Sequence, residues 1–154
     1  MLLCALAAAC SSSTKPTSVP VAPTTTTGIA TVAQSVFNTY LDAFNQGDVD
    51  GALAALAPKA VLSSPQCGDT PCVGVAAIRP KLAAAAAAHT RLAVSDVTVV
   101  GSTVRGNFTM TEDNMPPGVT RGKGAFAAAV TDGKISYLTI DYDHHDPETE
   151  KLLG

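Results

Sequence analysis

The chain has 154 residues, 46% of them hydrophobic, and a formal net charge of −3. That length suits one domain with extensions, and a domain of roughly 120 residues buries about two-thirds of its unfolded surface, enough for a real core. The acidic balance and the lack of a basic stripe argue against nucleic acid as a partner, and no run of roughly 18 apolar residues is present to span a membrane.

Residues 1–10, MLLCALAAAC, are apolar, small and uncharged, and read as the end of a signal peptide's hydrophobic region. Leu-Ala-Ala-Ala-Cys before Ser11 resembles a bacterial lipobox, which makes Cys10 the expected lipidation site. The positively charged start is missing, and Ala7 stands where lipoproteins more often carry leucine. Residues 11–28 hold serine, threonine, proline, lysine, glycine and small apolar residues. They cannot bury a core and are expected to be a disordered linker, a tether of up to ~55 Å for a lipid-anchored domain.

The domain is expected over residues 29–147, with residues 148–154 as a tail. Val32, Val36, Phe37, Tyr40, Leu41 and Phe44 form one stripe of a first helix. Gly47 stops that helix. Asp48 caps a shorter second one, whose buried side is Val49, Leu53 and Leu56 and which Pro58 ends. A short strand, Lys59 to Ser63, leads to Pro65. Cys67 and Cys72 then flank Gly-Asp-Thr-Pro; in an exported protein this reads as a local disulfide. The spacing is not Cys-x-x-Cys, and a zinc site lacks its second cysteine pair.

Gly74 opens a third helix, VAAIRPKLAAAAAAH, irregular at Pro80 and then favoured by its alanines. Four strands follow: Arg91 to Val100, with a bulge expected at Ser95-Asp96; Val104 to Met110; Gly122 to Val130; and Ile135 to Tyr142. Thr131-Asp132-Gly133 is a hairpin turn. The order α-α-β-α-β-β-β-β, with helices ahead of a mostly antiparallel sheet, makes the fold class α+β.

The run YLDAFNQGDVDGALAALAPKAVLSSP, followed by Gly74-Val75-Ala76-Ala77-Ile78-Arg79, resembles the nuclear transport factor two-like superfamily. It is most similar to the ketosteroid isomerase branch and the SnoaL-like polyketide cyclases. The match covers roughly Tyr40 to Leu82. It implies a cone: a strongly curved antiparallel sheet wrapped around the N-terminal helices, with a pocket at the open end and, in many members, a dimer through the outer sheet face. The isomerase mechanism needs a tyrosine on the first helix, which Tyr40 matches. It also needs an aspartate base before the proline, where Ser64 stands, and a second acid near Ala125 and Phe126, where neither residue is acidic. The epoxide hydrolase set of the same superfamily, Asp-Arg-Asp, is not assembled from Arg105, Arg121 and Asp141.

The residues expected to line the pocket are Phe37, Tyr40 and Phe44 from the first helix, Leu62 and Ser64 from the first strand, and Phe108, Met110, Phe126 and Asp141 from the later strands. The segment Asp141 to Asp146, DYDHHD, has metal-ligand residue types but reads as a surface strand end. No catalytic set, metal or cofactor is expected. The expected function is an exported, lipid-anchored cell-envelope protein whose pocket binds a small apolar ligand or an envelope protein. Alternatives are a polyketide cyclase-, dehydratase- or isomerase-like enzyme using Tyr40 with Asp141 or His145, and a homodimerising structural module.

Overall fold

A computed structural model of the chain describes residues 26–154. The signal remnant, the linker up to residue 25 and the Cys10 lipidation site lie outside the described residues. The elements are α1 (Thr26–Gln46), α2 (Val49–Ala54), β1 (Leu56–Ser63), a single 3-10 turn at Pro65–Cys67, β2 (Cys72–Val73), α3 (Val75–Ala87), β3 (Arg91–Val100), β4 (Thr103–Thr111), β5 (Gly122–Thr131), β6 (Lys134–Tyr142) and α4 (Pro147–Leu153).

The strands form one open six-stranded sheet in the order β2-β1-β6-β5-β4-β3. Neighbours are antiparallel except β1 and β6, which run parallel. The sheet is therefore mixed rather than purely antiparallel: β6 returns beside β1 after the whole β3–β4–β5 meander. α1 lies against β3, β4, β5 and β6, and the sheet bends over it. The expected bulge supplies part of that bend. The β3–β4 register shifts between Ser95 and Thr98, and Asp96 takes a left-handed φ of 52°. Leu92, Val94, Val97 and Val99 all pack towards the core in consequence, because one extra residue resets the alternation.

α1 buries Ala33, Phe37 and Tyr40, at the three- and four-residue spacing of a single helix face. Val32, expected on that stripe, is 51% exposed; it lies about 100° around the helix from Ala33. Gly47 (φ 73°) ends α1, and the Asp48 carboxylate accepts the Gly51 N–H at 2.9 Å, which caps α2. α2 stops at Ala54, so Leu56 begins β1 and Pro58 sits within the strand rather than ending a helix. β1 tolerates that proline because its register against β6 breaks between Leu56 and Val61, where no ladder N–H is required. α3 ends two residues earlier than expected, at Ala87, and His89 follows with φ 49°. The hairpin at Asp132 (φ 51°) and Gly133 (φ 70°) is as expected.

The supposed tail is a helix. The Asp146 carboxylate accepts the Thr149 N–H at 3.1 Å, Pro147 occupies the first turn, and fully buried Thr149 accepts the Lys123 N–H at 2.8 Å. Glu148 accepts the N–H and hydroxyl of Thr120, each at 2.7 Å. These bonds tie α4 to the start of β5. The Thr149 N–H and then Lys123 hold the Asp146 carboxyl down at about 2.

Candidate functional site

The sheet and α1 leave two different spaces between them. Deep inside, aromatic rings fill the space: Phe37 stacks on Phe126 with centroids 4.6 Å apart, and Phe108 meets Tyr142 edge-on at 5.4 Å. Phe37, Phe108 and Phe126, expected at the pocket, are thus the packed floor beneath it. Towards the open end, between α1, α3 and the sheet, lies a cavity of about 470 Å³, within the size range of small-molecule sites.

Of the expected lining residues, Tyr40, Phe44, Leu62, Ser64 and Met110 border this cavity. Asp141 does not. It is exposed on the opposite face of β6, in a shallow groove with Asn107, Lys123, His144 and His145. The reason is alternation: Leu138, Ile140 and Tyr142 face inward, so Asp141 must face out. His145 is exposed as well, in a turn where its N–H bonds the Asp143 carboxylate at 2.9 Å. Asp141 and His145 therefore do not share a cavity with Tyr40. No group of three or more metal-ligating side chains occurs among the described residues.

Several lining residues went unexpected. α3 contributes Lys81, Leu82 and the alanines of its last turn; β3 contributes Leu92, with Thr90 just before it; β4 leads to Glu112; and β6 brings Ile140 and Tyr142. Alternation from Phe108 through Met110 already points to Glu112, and from Leu138 through Ile140 to Tyr142. Gln66 carried no such signal. The Cys67–Cys72 disulfide, with Cα atoms 5.5 Å apart, closes the loop that holds it.

The polar groups form one relay and two isolated points. The Ser64 hydroxyl donates to Gln66 Oε1 at 2.7 Å, Gln66 Nε2 donates to the Tyr142 hydroxyl at 3.1 Å, and Tyr142 donates to Met110 Sδ at 3.2 Å. Burial pushes the Tyr142 phenol up, the Gln66 bond pulls it down and nearby Glu112 pushes it up again. Ser64 thus donates to an amide and carries no charge, so the position of the isomerase base holds no base. Tyr40 stands apart. It is 5% exposed, its hydroxyl makes no hydrogen bond to the described residues, and that oxygen is not sealed from the cavity. Burial raises its phenol far above the ordinary 10.0, because a phenolate there would lose its hydration. Tyr40 is therefore a neutral, unused donor. The second isolated point is Glu112, whose Oε2 accepts the Thr90 hydroxyl at 3.0 Å.

Solved structures of the same fold are numerous. A candidate polyketide cyclase from Sinorhizobium meliloti is 26% identical over 70% of this chain and 94% of its own, with a TM-score of 0.60. A candidate ketosteroid isomerase from Kribbella flavida is 19% identical over 74% and 79%, at 0.61. A nuclear transport factor two-like protein of unknown function from Cytophaga hutchinsonii is 12% identical over 73% and 90%, at 0.60. No curated protein matches the chain. The model of the SnoaL-like domain matches residues 37–150, which span α1 from Phe37, the whole sheet and the start of α4, and the chain belongs to that family.

Proposed function

We propose that this domain is the ligand-binding part of an exported, lipid-anchored cell-envelope protein, and that its cavity takes a small, mostly apolar molecule bearing a hydrogen-bond acceptor. The observation that carries this reading is the Tyr40 hydroxyl: a neutral donor with no partner among the described residues, open to the cavity it borders. A ligand carbonyl or ether oxygen at that point takes the place of the water that such an open hydroxyl otherwise bonds. The Cys67–Cys72 disulfide supports a location outside the cytoplasm, and among the described residues no helix is long and apolar enough to cross a membrane. Anchoring is assigned to a lipid on Cys10, which ends the lipobox-like Leu-Ala-Ala-Ala-Cys.

The test is a set of compact cage compounds measured by calorimetry against the full chain. 2-Adamantanone should bind, and a Leu82→Trp variant, which fills the cavity, should not bind it. Absence of binding to the native chain overturns the reading. Anchoring is tested separately, by whether Cys10→Ser abolishes incorporation of an alkyne-tagged fatty acid in a bacterial host.

One observation favours a second reading, a cyclase- or isomerase-type enzyme like the relatives above. Glu112 and Tyr40 line the same cavity, so a carboxylate base and a neutral oxyanion donor are both available to a bound ketone. Deuterium exchange at the α-carbon of a bound ketone, lost in Glu112→Gln, would establish it; the absence of any accelerated exchange would dismiss it.

A further inference from the structure

We propose that the cavity selects a ligand carrying a protonated amine on its apolar body, and that Glu112 is the residue that reads it. This rests on the cavity being a ligand site. Glu112 is half-buried, and its only hydrogen bond among the described residues is the one from Thr90. No lysine, arginine or histidine pairs with it there. A carboxylate offers about four acceptor sites, so most of its capacity faces the cavity unused.

The last turn of α3 sets no cation against Glu112. Ala84, Ala85 and Ala88 line the cavity with it. α3 has no basic residue in that turn. The basic side chains that follow in sequence are engaged elsewhere: His89 Nδ1 lies 2.6 Å from the Asp113 carboxylate, and Arg91 donates to the Thr90 carbonyl at 3.0 Å. The arrangement is also held in place. The Thr90 N–H bonds the Ala85 carbonyl at 2.9 Å and the Asp113 N–H bonds the Ala88 carbonyl at 3.0 Å, which fixes Glu112 against the helix end. Glu112 therefore stands in the cavity lining as a fixed acid with no cation paired to it.

Lys81 lines the same cavity and differs from Glu112 in having no hydrogen bond or ion pair among the described residues; its ammonium is on a flexible stem, whereas Thr90 holds the Glu112 carboxylate. The remaining polar groups, Ser64, Gln66, Tyr40 and Tyr142, are neutral. A primary ammonium fits Glu112; a carboxylate-headed ligand such as a fatty acid meets repulsion there.

Three rigid probes of matched body test the idea by calorimetry at neutral pH: adamantanamine, adamantanol and adamantanecarboxylate. The native chain should bind the amine about tenfold more tightly than the alcohol, with the carboxylate weakest, and Glu112→Gln should erase the difference between amine and alcohol. The head-group series on the native chain decides the matter even if the variant fails to fold. Equal binding of amine and alcohol, or tightest binding of the carboxylate with its loss in Lys81→Ala, overturns the role of Glu112 and leaves the ligand site standing. Binding of none of the three removes both readings.

Discussion

Removing the Tyr40 hydroxyl separates a structural tyrosine from a ligand-reading one. Tyr40→Phe keeps the ring, which packs near Phe44 at 6.2 Å between centroids, and deletes an oxygen with no partner among the described residues. Since no hydrogen bond within the protein is lost, the stability of the free protein should change by less than about 0.5 kcal/mol. Ligand binding behaves differently. A neutral hydrogen bond to a carbonyl contributes about 0.5–1.5 kcal/mol net, so the affinity for 2-adamantanone should fall roughly 2- to 12-fold. Its methylene analogue, which has the same shape but no acceptor, should bind both proteins equally. Burial keeps the phenol neutral well beyond its usual range, so ketone affinity should stay flat as pH rises through the ordinary phenol value. Urea denaturation and calorimetry supply the two measurements. A destabilisation of about 2 kcal/mol would show that the hydroxyl is engaged within the fold, and equal losses for ketone and hydrocarbon would show that it does not face the ligand; either result refutes the reasoning.

Three further expectations concern the scaffold. Replacing both Cys67 and Cys72 with alanine opens a loop with a sequence separation of 5, for which loop entropy predicts a loss of about 2 kcal/mol, read as a lower urea midpoint, together with weaker ligand binding as Gln66 leaves Tyr142. Gly124→Ala should destabilise by more than about 2 kcal/mol in the same assay, since its Cβ would overlap the Asp141 carbonyl and sit 2.6 Å from Phe108 Cζ; a neutral result would mean β5 and β6 can part. The Asp146 carboxyl is held below its ordinary 3.8, so its contribution is present above that value and lost as pH falls towards about 2. Thermal midpoints of the native chain and Asp146→Asn should accordingly differ above about pH 4 and converge in acid; a constant gap would contradict the capping role of the charge.

Much of the fold could be read from local pattern. The α1 stripe apart from Val32, the Gly47-Asp48 junction, the bulge at Asp96 and the Asp132-Gly133 hairpin each depend on a few neighbouring residues, and each is where the pattern placed it. α4 could also have been read locally, because Asp146-Pro147-Glu148 is a helix start signal; the metal-like letters of DYDHHD masked it. Leu56 and Pro58 were misplaced because their conformation is set by β6, which lies far along the chain.

The site divides along the same line. Sequence alone determined that Tyr40 stands on the inward face of α1 and that Cys67 and Cys72 are close enough to join. Whether an inward residue becomes packed floor or cavity wall was decided only by tertiary structure. Phe37 and Phe126 became floor because their rings stack on each other, and Phe108 because its ring meets Tyr142; Glu112 and Gln66 became wall because α3 and the disulfide loop close over them. The physical reason is that alternation and helical period specify a side of an element, whereas the space left on that side depends on the volumes of residues brought there from distant parts of the chain.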